Sequence, residues 1–368
     1  MKIDIQKLIP KLQEQEFSVK EGTIAGDKVY LITPQHMGTV WDQDNLIFRS
    51  SIWSENGLPI SLGFRKFFNF TEKPELIPDP VNVKKCSIRE KIDGSLLCIS
   101  KYKGEHIIRT RGTFSAMNLE NGTEIDYLIQ KYPKVFCNPI IEYGEYTILC
   151  EWYSPLNRIV IDYGPEPDIF LIGVVKHEDY SYTTQKELEH YGVALSIKTT
   201  PLYTFDTISN LIKTVETFKG KEGVCIYFNN DQDIKKVKGV EYLTLHRFKS
   251  DCTLKNLVDM FLEYEKPDYN TFLKKIETTF DYECMHMASN LVSDICSAYK
   301  EVQKIVEHMK KFVEPLRTIS RKEAAEKILS SYGKTTRSNC LFKLLDGKEI
   351  DNKMYKSMLF QKLGGENQ

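Results

Sequence analysis

Glu90-Lys91-Ile92-Asp93-Gly94-Ser95-Leu96 is a charged peptide that runs directly into the apolar stretch Leu96-Leu97-Cys98-Ile99. In an extended segment, residues two apart project on the same side, so Lys91 and Asp93 are expected to share a face. Gly94 admits a turn or the close approach of a ligand. The pair suits a nucleophilic amine beside a carboxylate, and it equally suits a solvated lysine and aspartate at the end of a strand. This peptide alone does not choose between them.

Three further peptides weigh on that choice. Lys236-Val237-Lys238 again spaces like groups two apart in a strand-like stretch, and two ammonium groups on one face repel unless an anion sits between them. Phosphate is the obvious anion. Upstream, Lys221-Glu222-Gly223-Val224-Cys225-Ile226-Tyr227 places a carboxylate and a glycine before an apolar strand. Between this peptide and Lys91, Leu149-Cys150-Glu151-Trp152-Tyr153 puts Glu151 at the end of a strand, followed by a Pro155-Leu156-Asn157 turn.

The whole chain has 368 residues, enough for two domains, since single cores stop growing at roughly 250 to 300 residues. With 27% charged and 11% aromatic residues it is neither disordered nor low in complexity. No stretch reaches the roughly 18 uninterrupted apolar residues of a membrane helix, and the start, Met1-Lys2-Ile3-Asp4, has no secretory h-region. A cytoplasmic protein is expected. Its 9 cysteines are scattered with no C-x-x-C pair, which argues for reduced thiols. Of the 14 prolines, 12 lie before residue 250. That part reads as strands at 105–110, 146–150, 159–162 and 169–175, with helices at 4–15, 184–191 and 207–218. From about residue 253 the apolar period becomes helical, as in Leu254, Leu257, Val258, Phe261 and Leu262. Charge is segregated as well. Residues 300–368 carry 15 Lys+Arg against 9 Asp+Glu, a net of +6, so the rest carries -7 to give the total of -1.

In this order, K-x-D-G, a strand glutamate, E-G-V and K-x-K resemble the motif series of the covalent nucleotidyltransferases, which include DNA ligases, RNA ligases and mRNA capping enzymes. Lys66-Phe67-Phe68-Asn69-Phe70, the stretch from Glu151 to Tyr163 and the stretch from Lys236 to His246 are similar to the tRNA-repairing bacteriophage RNA ligase 1 family. The likeness spans roughly residues 30–250.

The resemblance implies an α+β fold. Residues 1–250 would form an adenylyltransferase (nucleotidyltransferase) domain of ATP-grasp-like antiparallel sheets with flanking helices, and residues 251–368 an all-α C-terminal domain that positions RNA. It implies ATP as substrate, Mg2+ or Mn2+, and a monomer acting in the host cytoplasm on RNA with 5′-phosphate and 3′-hydroxyl ends, tRNA among them. Lys91 would be the nucleophile that becomes AMP-lysine, with Glu151, Glu222, Lys236 and Lys238 as its catalytic partners. Arg49, Lys66, Asp93, Gly94, Glu151, Ile172, Glu222, Lys236 and Lys238 would bind ATP. Glu151, Glu222 and Asp268 would hold metal, and Arg109, Arg111 and Arg158 would meet RNA. His246 would position the end of the strand after Lys238. Where the family usually has Arg-Gly this chain has Arg49-Ser50, and none of the residues from Ile32 to Met37 is a tyrosine to match its adenine-contacting one.

A free lysine with a pKa of about 10.4 is almost all ammonium at neutral pH. Asp93 and Glu222 favour that charge, so Lys91 is expected to become nucleophilic in the ATP-metal complex and not before. Two other functions stay open on the sequence: a ligase of single-stranded DNA or RNA, and an RNA-binding repair accessory without chemistry. Gly333-Lys334-Thr335-Thr336 is no P-loop, because Ile328 stands where the leading glycine belongs.

Overall fold

The computed structural model describes residues 1–36, 38–137, 144–249, 253–279 and 282–364. Met37 and the expected domain boundary at residues 250–252 lie outside them. Contacts divide the chain into residues 1–249 and residues 250–368.

Residues 1–249 run α1 (Ile5–Glu14), β1 (Phe17–Ile24), β2 (Asp27–Pro34), β3 (Ser51–Ser54), β4 (Pro59–Leu62), β5 (Phe68–Asn69), β6 (Ser87–Lys91), β7 (Ser95–Tyr102), β8 (Glu105–Thr110), α2 (Thr123–Lys131), α3 (Pro133–Phe136), β9 (Tyr146–Tyr153) and β10 (Asp168–Lys176). They continue with α4 (Gln185–Leu195), β11 (Leu202–Tyr203), α5 (Ile208–Glu216), β12 (Gly223–Phe228), β13 (Asp233–Lys238) and α6 (Val240–Lys249). The strands form three sheets, ordered β1-β2-β3-β4, β10-β9-β7-β8 and β11-β6-β12-β13-β5. Neighbours are antiparallel except β13 and β5. Residues 92–94 connect β6 of the third sheet to β7 of the second, so the charged peptide around Lys91 sits where two sheets meet.

Strand alternation explains the packing. On β12, Val224 and Ile226 turn to Leu211 and Val215 of α5, while Cys225 and Tyr227 turn the other way into a core with Tyr30, Trp53, Cys98 and Leu149. On β13, Lys235 is buried and pairs with Asp79 at 3.3 Å, which leaves Lys236 and Lys238 to the opposite face. Three helices of this part begin at capping side chains: Asp4 for α1, Thr184 with Glu187 in a capping box for α4, and Thr207 for α5.

Two local expectations are corrected. The apolar run 159–162 is not a strand. Its amides at Val160 and Ile161 donate to the Asp93 carboxylate at 2.7 and 2.8 Å, so they are not available to a sheet ladder. After Lys238 the chain turns into α6, not further strand, because the Gly239 amide bonds to the Glu222 carbonyl at 2.9 Å and its own carbonyl accepts from Leu243. Tyr242 and His246, one helical turn apart, then stack with centroids 5.7 Å apart.

In residues 250–368 the described α-helices are α7 (Leu254–Glu263), α8 (Tyr269–Thr279), α9 (Tyr282–Val313), α10 (Arg321–Tyr332), α11 (Thr336–Leu345) and α12 (Asn352–Leu363). Leu257, Val258, Phe261, Phe272, Val302, Leu341 and Leu359 are among the fully buried residues of their common core. The 32-residue α9 ends at a 3-10 turn, Glu314–Thr318, whose Pro315 cannot continue an α-helix. No described helix is long and apolar enough to cross a membrane.

Candidate active site

Register brings the charged residues together. Gly223 at the start of β12 lies opposite Lys91 on one side and Lys238 on the other, so the ends of β6, β12 and β13 are adjacent. Glu222 immediately precedes this point. One of its oxygens, Oε2, accepts from Lys91 Nζ at 2.8 Å, and Oε1 lies 3.2 Å from Lys238 Nζ. A Cβ on Gly223 would lie 2.0 Å from the Val237 carbonyl oxygen at φ +154°, so no other residue fits this junction.

Glu222 is 2% exposed. Burial alone would raise its pKa, but Lys91, Lys238 and Lys236 outweigh burial and hold the carboxyl below the usual range. For Lys91, burial disfavours the ammonium, and Glu222 and Glu151 outweigh it to keep the group charged well above the ordinary lysine range. Glu151 reaches the same place from the second sheet, where β9 pairs it with Leu96 and Phe170. Burial pushes its carboxyl up to about 7, against the pull of Lys91 and Arg49 and with added repulsion from Glu222.

The sign of the resulting pH dependence follows. A carboxyl whose folded-state pKa lies above its ordinary 4.5 favours the folded chain while protonated, so this contribution is present below about 4.5 and lost as pH rises through about 7. Glu151→Gln should remove that component of the melting-temperature profile from about pH 5 to about pH 8. An unchanged profile would show that Glu151 titrates normally.

Lys91, Gly94, Glu151, Arg49, Arg111 and Ile172 all line one cavity of about 480 Å³, a size that takes a nucleotide. The Arg49 guanidinium stacks on Phe67 at 4.8 Å, and neither Arg49 nor Arg111 forms a salt bridge to a carboxylate among the described residues. Lys236 lies opposite Cys225, another residue of the cavity wall.

Other expected site residues lie elsewhere. The Asp93 carboxylate does not face Lys91 or the cavity. It accepts from the amides of Val160 and Ile161 and, at 2.8 Å, from the Tyr242 hydroxyl, so it ties the loop after β9 to α6 and is corrected from ATP ligand to structural anchor. Lys66 lies over Trp41 and Phe68 at 5.2 and 5.1 Å, outside the cavity lining. Arg109 is fully buried and corrected as an RNA contact. Arg158 pairs with Asp162 at 2.9 Å on the surface. Asp268 belongs to residues 250–368 and spends its carboxylate on the Asn270 and Thr271 amides and the Thr271 hydroxyl at the start of α8. Helix capping replaces the metal role expected for it. Among the described residues no three His, Cys, Asp or Glu side chains gather as a preformed metal nest.

Arg89, which the sequence reading passed over, also lines the cavity. It lies 3.7 Å over the Tyr227 ring and pairs with Asp231 at 3.2 Å. Its signal was its position two residues before Lys91 on the same strand face.

Fold and site together define an α+β protein with a buried lysine–carboxylate cluster on a nucleotide-sized cavity. A family model described as RNA ligase matches residues 59–253, which contain Lys91, Glu151, Glu222, Lys236 and Lys238. The chain belongs to the RNA ligase family. It is 26% identical over 312 residues to an RNA ligase of Rhodothermus phage RM378, covering 67% of this chain and 70% of that one. It is 27% identical over 215 residues to a candidate bifunctional polynucleotide kinase/RNA ligase of Autographa californica nuclear polyhedrosis virus, and 24% identical over 225 residues to a candidate RNA ligase of Thermovibrio ammonificans. These two alignments cover 52% and 61% of this chain, but only 29% and 57% of the relatives' own lengths.

Proposed function

We propose that the protein is an ATP-dependent RNA ligase that joins 3′-hydroxyl and 5′-phosphate ends through a lysyl-AMP on Lys91. The observation that carries this reading is Lys91 Nζ held 2.8 Å from a carboxylate that Lys238 shares, on the wall of a cavity where Arg49 and Arg111 have no carboxylate salt bridge. Lys91, once deprotonated, attacks the α-phosphorus of ATP. A P–N bond forms, the bond to the bridging oxygen breaks, and pyrophosphate leaves. The adenylyl group then passes to the RNA 5′-phosphate, and the RNA 3′-hydroxyl displaces AMP to form the phosphodiester.

Each residue has a physical task in this scheme. Lys238 and Lys236 stabilise negative charge on the phosphoryl oxygens as it develops. Arg49 and Arg111 receive the triphosphate, which moves Arg111 from RNA contact to nucleotide contact. Ile172 covers a face of the base. Glu151 and Glu222 suit a magnesium or manganese ion, since such hard cations take one or two carboxylates and complete their shell with water and phosphate oxygens. When bound, the ion would supply charge neutralisation at the phosphates. Drawing Glu222 and Glu151 away from Lys91 removes what holds its ammonium, so activation accompanies ATP binding.

The test is incubation with labelled ATP and either cation, followed by denaturing electrophoresis. An acid-labile AMP adduct on the chain is expected, and its absence would rule the mechanism out. We assign residues 250–368 to RNA positioning, supported by the +6 charge of residues 300–368, and place the enzyme in repair of broken RNA, tRNA included. A folded protein ending near residue 249 should therefore keep adduct formation within a few-fold and lose most RNA joining. Equal loss of both activities would refute that division.

A further inference from the structure

Arg109, on β8, is 0% exposed, and no carboxylate among the described residues pairs with it. A guanidinium has five N–H donors, and all of them are used here on neutral acceptors. Nε donates to Ser61 Oγ at 2.8 Å, and Nη1 to Ser50 Oγ at 2.9 Å and to the Thr110 carbonyl at 3.1 Å. Nη2 donates to the carbonyls of Ser50 at 3.2 Å and Ser61 at 2.9 Å. A buried cation without a counter-charge is costly, and an apolar side chain would fill the same space more cheaply. What this arrangement does provide is fixed geometry.

The fixed parts are the residues that flank the two cavity arginines. Ser50 directly follows Arg49, and its hydroxyl, besides accepting from Arg109, donates to the Arg111 carbonyl at 3.1 Å. The Ser50 carbonyl also accepts from Gly63 N at 2.7 Å, and a Cβ on Gly63 would come within 2.8 Å of that oxygen, so this side has no slack. Thr110, beside Arg111, is held by the Thr113 hydroxyl. Arg109 thus links, through one serine, the chain segments that carry Arg49 and Arg111. Those two like charges stand close enough that Arg111 disfavours the Arg49 charge in addition to burial.

We infer that Arg109 is a positioning residue for the nucleotide's polyphosphate: a buried strut that holds Arg49 and Arg111 at the spacing its terminal phosphates require, without touching them. The inference rests on the ligase reading of the cavity. It predicts a selective defect, because AMP lacks the terminal phosphates and pre-adenylated RNA bypasses the step that uses them.

The experiment compares full-length wild type with Arg109→Met and Arg109→Lys for binding of ATP and of AMP, and for sealing of pre-adenylated RNA. Loss of about one charge-assisted contact's worth of alignment should weaken ATP binding about 10-fold in Arg109→Met, with AMP binding and sealing changed by less than about twofold. Arg109→Lys, with three donors instead of five, should fall between. If ATP and AMP binding fall together, or neither falls, the strut is refuted. Should Arg109→Met fail to fold, Ser50→Ala, which removes only the linking hydroxyl, reads the same ATP-to-AMP ratio, and an unchanged ratio refutes the inference. Wild-type protein that binds neither nucleotide overturns the ligase reading instead.

Discussion

Lys91→Ala is expected to abolish the AMP adduct, by at least about 10³-fold, while ATP binding and the sealing of pre-adenylated RNA persist. In the proposed scheme Arg49 and Arg111, which line the cavity, receive the triphosphate, and this change leaves them in place. Lys238 is the nearest possible substitute amine, but it approaches the other oxygen of Glu222, at 3.2 Å, from β13 rather than β6. It would have to cross the carboxylate to reach the same phosphorus. Lys91→Arg sharpens the test, since a guanidinium can keep the ion pair to Glu222 but stays protonated and supplies no nucleophile. Adduct on either variant would place the reactive amine elsewhere. Loss of pre-adenylated RNA sealing together with the adduct would mean that Lys91 is needed beyond the first step.

The second large effect is expected at Gly94. A Cβ there would lie 2.4 Å from the Trp152 carbonyl oxygen, 3.0 Å from its carbon and 3.2 Å from Glu151 Cγ. The first two are backbone atoms of β9, a strand paired on both sides, and the Trp152 side chain is 0% exposed, so β9 cannot yield cheaply. Either β7 separates from β9 or Glu151 and Lys91 move apart. A misplacement on the order of 1 Å at a reacting centre costs about 10²-fold in rate. Gly94→Ala should therefore slow adduct formation by about that factor and lower the melting temperature by several degrees, since about 1 kcal/mol shifts it by a few degrees in a chain of this size. Wild-type adduct rates in Gly94→Ala would show that Lys91 and Glu151 need not be held this closely.

Much of this site was legible because it is built from strands, whose two-residue period is visible in a sequence. That period put Lys236 and Lys238 on one face, and Glu222-Gly223 at the start of β12 fell into register with Lys91 and Lys238. The same rule failed for Asp93 because it assumes extended backbone. β6 ends at Lys91, and residues 92–94 turn between sheets, which sends Asp93 to the Val160 and Ile161 amides. Arg109 was misjudged for the opposite reason. It alternates with Ile107 on the buried face of β8, a pattern the sequence contained, but a charged residue there reads as surface until its five acceptors are known. Lys66 and Asp268 could not have been settled by pattern. One depends on which aromatic rings lie beneath an ammonium, the other on where a helix begins.

The shared Glu222 carboxylate also bears on chemical safety. An uncharged lysine amine in a nucleotide-sized cavity would react with any small acyl phosphate, aldehyde or cyanate that diffused in, and each such event would end the life of an enzyme with one nucleophile. Bound between two carboxylates as an ammonium, Lys91 is inert to those electrophiles. In the ligase scheme its reactivity is released only when a nucleotide arrives with a cation that takes over Glu222 and Glu151, so the substrate complex carries the key to the group that consumes it.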